Sequence, residues 1–265
     1  MLAPRCCVIS DPKPDTIPES LQIRAVEAVH CRAGPRVGGV LRQGPAGRHG
    51  MSQLVGTVES MGRWWTSDHH FGHEKIIGYC ARPFANADAM NRAMVERWND
   101  VVADGDEVWI LGDLVLGQLT VNLAAHVSRL KGHKVLVPGN HDACWKGQKK
   151  GPNQVAAYFD LGGIARIVDD PDPVELAGET VRLNHFPYEP GIPGRPVKFA
   201  QWRLKDTGGW LLCGHIHERW RQDGKQINVG VDAWHFAPVS DDTICEVIRS
   251  GPARIPCPSY RPADA

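Results

Sequence analysis

The chain has 265 residues, enough for one large domain and a tail, and its 42% hydrophobic content can build a sizeable core. Basic and acidic residues balance at 30 each, and residues 63–265 hold 23 basic against 25 acidic side chains, which excludes a global basic footprint for nucleic acid. No apolar run is long enough to span a bilayer, no signal-peptide core is visible and the eight cysteines form no CxxC pair, so the chain reads as a cytoplasmic protein with reduced thiols.

Residues 1–62 are rich in Gly, Pro and Arg, with one short segment near Leu21–Val29 suited to a turn or two of helix. Such a stretch buries little, and it is expected to be a disordered extension. Met51 and Met61 both precede the first strong strand, and the natural protein is expected to start at one of them; a flexible partner-binding arm is the rival reading.

From residue 63 short apolar runs end abruptly in polar clusters. RWWT runs into SDHH, EVWIL into GD, KVLV into PGNHD, VRL into NH, WLLC into GHIH and QINV into GVD. Runs of this length bounded by turn residues predict buried strands. Met90, Met94, Trp98 and Val101 form a helical stripe with Asn86 as its N-cap, and Leu119, Leu123, Val127 and Leu130 form another. Both stripes are expected to be core. Strand and helix alternate in the first half, which implies right-handed crossovers. The part after about 164 is richer in strands. The folded domain is expected over 63–250, with an irregular Pro-rich tail over 251–265.

Each polar cluster lies just past the carboxyl end of an apolar run, the edge at which open α/β sheets bind ligands. Five clusters would converge there. Asp68 and His70, spaced i, i+2, project to one side of an extended chain, and His215 and His217 repeat the device. Asp113 follows a glycine. Asn140 and His141 lie in the PGNHD turn, and His185 ends a strand. Two carboxylates, one amide and several imidazoles, with no thiolate, suit divalent ions such as Mn²⁺, Fe²⁺ or Zn²⁺. A single HxH or GD is weak evidence; DxH, GD, GNHD, NH and GHxH in this order, each after an apolar run, is strong.

On these motifs, over roughly residues 67–235, the chain resembles the calcineurin-like metallophosphoesterase superfamily, and SDHHFGHEKII resembles its bacterial and phage branch of small phosphodiesterases. The resemblance implies an α/β fold, a two-sheet α/β/β/α sandwich. It also implies two divalent metal ions, Mn²⁺ foremost with Fe or Zn as alternatives. Asp68, His70 and His217 would bind one ion. Asn140, His185 and His215 would bind the other, and Asp113 would bridge them. His141 would sit beside the phosphate as proton donor or charge stabiliser. Two such ions clamp a phosphoryl oxygen and activate water without a covalent enzyme intermediate. The implied activity is hydrolysis of phosphodiesters, 2′,3′-cyclic nucleotides or other small diesters. A metal-dependent nuclease or phosphomonoesterase is the alternative, and a catalytically silent scaffold of the same fold is a rival of another class.

The remaining candidates stay open at this point. His73 would approach the phosphate from a helix N-terminus, or else cap the turn. His69 is read as structural. Arg82 would meet a substrate phosphate or base, or be a surface residue before a Pro turn. Asp232 would orient a ligand histidine, or serve a turn. Trp145 and Tyr188 would stack on a base, or pack. Lys146, Lys149 and Lys150 would attract an anionic substrate, or be merely solvated. The run GDLVLG places Leu116 and Gly117 where protein phosphatases of the superfamily carry an Asp and an Arg, so Asp142 is the remaining candidate to orient His141. The expected partner is a small-molecule phosphodiester, with nucleic acid less favoured and no membrane.

Overall fold

The computed structural model describes residues 61–149, 152–188 and 198–260, all within one unit, Thr57–Ala265. The expectations for the N-terminal extension and for Met51 lie outside the described residues. The fold is mixed α/β with two sheets.

Four parallel strands come first. They are β1 (Arg63–Thr66), β2 (Glu107–Ile110), β3 (His133–Leu136) and β4 (Ile164–Ile167). The crossovers carry α1 (Glu74–Tyr79), α2 (Ala87–Val101), α3 (Leu119–Ala125) and α4 (Val155–Asp160). Next come β5 (Val174–Leu176), β6 (Glu179–Leu183), β7 (Trp210–Cys213), β8 (Gln222–Gly224) and β9 (Gln226–Asn228). The chain then returns to the first sheet as β10 (Val239–Ser240), continues as α5 (Asp241–Ser250) and ends its regular structure in β11 (Ala253–Ile255). The sheet orders are β10-β1-β2-β3-β4 and β11-β8-β9-β7-β6-β5. The segment after 251, expected to be irregular, thus supplies an edge strand against β8.

The strand side chains sort by face. Trp65, Trp109 and Val135 join Val181, Leu183, Trp210, Leu212 and Ile227 in a core between the two sheets. Val108, Ile110, Leu136 and Ile164 face the other way, onto Met90, Met94, Trp98 and Leu123 of the helices. Both faces of the first sheet are covered, which is why its strands are continuously apolar. Ile244 and Ile248 of α5 belong to the core between the sheets. On the outer face of the second sheet, Leu211 and Cys213 pack with Tyr188, Leu204 and Trp220. No described α-helix contributes there, so the expected outer helical layer is replaced in that cluster by loop side chains.

The helical stripes need two corrections. The Asn86 side chain caps α2 by accepting from the Ala89 amide at 2.9 Å, and Met90, Met94 and Trp98 are buried, but Val101 is 40% exposed. The neighbouring Val102 is buried in its place, because the backbone turns extended there. The second stripe is not one helix. Residue His126 leaves helical geometry, and Val127 and Leu130 reach the core through a 3₁₀ turn, Val127–Arg129.

Candidate metal centre

Loops at the carboxyl ends of β1, β2, β3, β6 and β7 meet at one rim. The parallel pairing of β1 and β2 runs on past the strands, with the Asp68 amide donating to the Gly112 carbonyl at 3.0 Å and the His70 amide to that of Asp113 at 3.1 Å. Two groups of donor atoms result, each with its atoms within 4.8 Å of one another: Asp68, His70 and His217, and Asp113, His185 and His215. Asp113 joins them. Its Oδ2 lies 3.6 Å from His70 Nε2 and 3.5 Å from His185 Nε2. Asn140 Oδ1 lies 3.2 Å from the same His185 nitrogen. The His215 amide donates to both oxygens of Asp68, at 3.1 and 2.9 Å. All seven residues expected as ligands therefore converge.

Their chemistry fits cations. His185 Nδ1 lies 2.7 Å from the Leu111 carbonyl, which makes Nδ1 the protonated nitrogen. Nε2 is then a lone pair facing Asp113 Oδ2 and Asn140 Oδ1. Both ring nitrogens of His70 are buried without a hydrogen-bond partner. Unpaired buried acceptors cost ~1–3 kcal/mol each, and a positive ion would remove that cost. The backbone is strained at the same places. Asp68, His70, Asp113, His215 and His217 all have positive φ, between 51° and 72°, and they are five of eleven such non-glycine residues among those described. Strain on the order of 1 kcal/mol or more each persists only where the surroundings impose it. The approach of the loops is also close: a Cβ on Gly139 would lie 2.3 Å from Asp113 Oδ1 and 2.7 Å from its amide nitrogen.

Electrostatics point the same way. Burial, then the neighbouring Asp68 and Asp142, push the Asp113 carboxyl well above the usual carboxylate range. Burial holds His185 well below the imidazole range and His215 down at about 3. Burial also opposes the charge on His217, but Asp68 and the contact with Asp232 outweigh it and lift the ring to about 10. A raised histidine stabilises the metal-free fold fully below pH ~6.5 and loses that contribution as pH rises towards 10. An entering ion must displace this proton. Mn²⁺ binding between pH 7 and 9 should therefore release protons and strengthen with rising pH, about tenfold per unit for each proton displaced. Calorimetry in buffers of different ionisation enthalpy measures the release; a binding enthalpy independent of buffer would contradict it.

The other candidates divide. His141 is exposed, its ring 5.3 Å from that of His70, and its amide donates to Asp113 Oδ1 at 2.8 Å. His73 is the N-cap residue of α1 but makes no side-chain cap; its half-buried ring lies 5.6 Å from His70. His69 is buried and stacked on Phe71, a packing role. Arg82 is neither a substrate contact nor a surface residue. It is 3% exposed and bonded to Asp232. Tyr188 does not reach the site: it is buried on the outer face of the second sheet, its hydroxyl 3.3 Å from the Gly209 carbonyl. Trp145 is buried among Phe186, Phe199 and Trp202. Lys146 pairs with Asp170, and Lys150 lies outside the described residues. Asp142 does not turn towards His141. Its carboxylate accepts from the amides of Asp113, Leu114 and Gly139. Cys80, His217 and Asp232 make a third group of donors, but Arg82 already neutralises Asp232 and both its oxygens. Asn228 was not anticipated. Its amide donates to the His217 carbonyl at 2.8 Å and so holds that loop, and its place at the end of the apolar run QINV was the only sequence signal for it.

No protein-family model matches the chain. It is 36% identical over 180 residues to the Gene 66 protein of Mycobacterium phage D29, across 65% of this chain and 88% of the phage protein. The Gene 66 protein of Mycobacterium phage L5 is 33% identical over 196 residues, across 70% of this chain and 93% of its own length. The uncharacterized protein MJ1445 of Methanocaldococcus jannaschii is 31% identical over 193 residues, across 70% and 90%. The crystal structure of AQ665 from Aquifex aeolicus, a protein of unknown function, matches 71% of this chain and 100% of its own with a TM-score of 0.50 and 23% identity, a likeness of fold alone. With about a third of the aligned residues identical over most of the phage proteins' length, the chain belongs to the family of the mycobacteriophage Gene 66 proteins.

Proposed function

We propose that the chain is a phosphodiesterase of the metallophosphoesterase class, working in the cytoplasm with two divalent ions, Mn²⁺ foremost, on cyclic nucleotides or other small diesters. The observation that carries this reading is the single Asp113 oxygen within 3.6 Å of both imidazoles, one from each donor group. Bound ions supply Lewis acidity at a phosphoryl oxygen and a nucleophilic water near neutral pH. The residues do the rest. Asp113 ties the two groups together, Asp68 accepts the His215 amide and so fixes the second group against the first, and His141 stands exposed at the rim. A silent scaffold would have no need of every donor, nor of the strain that holds them. No helix among the described residues is long and apolar enough to cross a membrane.

The test is a panel of cyclic mononucleotides, a linear dinucleotide, an oligonucleotide and a monoester, each with Mn²⁺ and with chelator. Hydrolysis of the diesters should cease in chelator and return with Mn²⁺; turnover unchanged in chelator would end the reading. His141→Ala should keep both ions and lose ~10²–10⁴-fold in rate if the ring donates a proton to the leaving oxygen. Loss of the ions in that variant would instead make His141 a ligand.

A further inference from the structure

We propose that Arg82, through Asp232, is the positioning residue for one of the two ion sites, that of Asp68, His70 and His217; the proposal rests on the two-ion reading above. Arg82 is buried, and its guanidinium is fully committed. Nε donates to Asp232 Oδ1 at 2.8 Å and Nη2 to Oδ2 at 2.8 Å. Nη2 also donates to the Asp68 carbonyl at 2.7 Å, and Nη1 to the His69 carbonyl at 3.0 Å and to Met90 Sδ at 3.4 Å. Five donors meet five partners, which leaves none for a substrate.

The partners explain the placement. The Asp68 carbonyl belongs to the peptide between Asp68 and His69, and the His69 carbonyl to the peptide before His70. Holding both peptide planes fixes the turn in which Asp68 and His70 sit at φ 58° and 53°. The third donor is reached from the other side, because Asp232 Oδ2 lies 3.4 Å from His217 Nδ1. One guanidinium is thus connected to every donor of this group. None of its five bonds runs to Asp113, Asn140, His185 or His215. A lysine ammonium has the charge but not the planar fork, so it cannot hold a carboxylate side-on and two carbonyls at once.

The test is Mn²⁺ titration of metal-free wild type, Arg82→Lys and Asp232→Asn, followed calorimetrically, with thermal melts as a check of folding. Wild type should bind two ions. Each variant should keep one ion at wild-type affinity and bind the other ~10–100-fold more weakly, as removal of a partner behind a ligand does. His185→Ala should show the reverse pattern and so identify the site retained. Asp232→Asn preserves side-chain shape and carries the test where Arg82→Lys does not fold. Two ions at wild-type affinity in the variants would overturn the proposal. Equal weakening at both sites would also overturn it, since that is what a general structural role produces. Those results leave the two-ion reading standing. A wild-type chain that binds no divalent ion would end both.

Discussion

Asp113→Asn is expected to lose both ions and ~10³-fold or more in diester turnover, while the metal-free protein becomes no less stable than metal-free wild type. The two halves follow from the same atoms. Asp113 Oδ2 faces His70 and His185, and Oδ1 accepts the His141 amide. An asparagine oxygen can keep the His141 bond, and its amide then donates towards the His185 lone pair, so the variant meets without a cation part of the need a cation would meet. It also removes a carboxylate that burial, Asp68 and Asp142 disfavour. On the proposed two-ion reading it removes the one negative oxygen shared by both groups, and several kcal/mol of transition-state stabilisation would go with the ions, each 1.36 kcal/mol being tenfold in rate. Thermal melts separate the effects. Mn²⁺ at about 100 times the dissociation constant of each site should stabilise wild type by about 2.7 kcal/mol per ion, about 5.4 kcal/mol for two, roughly 11–22 °C, and leave Asp113→Asn unmoved. A variant that still melts higher with Mn²⁺ and still turns over would remove Asp113 as the shared ligand.

The donor set was legible because each donor stands just past a strand end announced by an apolar run; the extended geometry expected of the i, i+2 pairs does not hold, since Asp68, His70, His215 and His217 all lie at positive φ, and the tertiary turns rather than strand alternation bring them together. What supports those donors was not legible. Arg82 precedes a proline, which marks a turn but not its direction; only the tertiary fold shows that the side chain points inward to Asp232, 150 positions on. Tyr188 follows the candidate donor His185 by three residues, close enough to suggest the site, yet the chain crosses to the outer face of the second sheet in that interval. Strands β10 and β11, of two and three residues, are too short for any periodicity to show. Val101 and Val102 differ by one position, and the register at a helix end decides which is buried. Each miss concerns a direction or an end set by packing rather than by local pattern.

Asp142→Ala should be the most destabilising substitution near the site. The carboxylate is completely buried and accepts three backbone amides, Asp113 at 2.8 Å, Leu114 at 3.1 Å and Gly139 at 2.8 Å. These belong to the loops after β2 and β3, so one side chain joins the turn that holds Asp113 to the turn that holds Asn140. Alanine leaves three buried donors unsatisfied, at ~1–3 kcal/mol each, against a total stability of about 5–15 kcal/mol for a domain. A loss of at least ~3 kcal/mol lowers Tm by roughly 6–12 °C in a domain of this size. The loss should appear in chelator as fully as with Mn²⁺, because it arises from the loops and not from the ions; this distinguishes it from His185→Ala, whose deficit should be clearly larger with Mn²⁺ than in chelator, where only its buried packing and the bond to the Leu111 carbonyl are lost. Asp142→Asn retains one accepting oxygen and should fall between alanine and wild type. An Asp142→Ala protein that melts with wild type in chelator would mean that the two loops hold their positions without this tie, and that Asp113 and Asn140 are brought together by the strands alone.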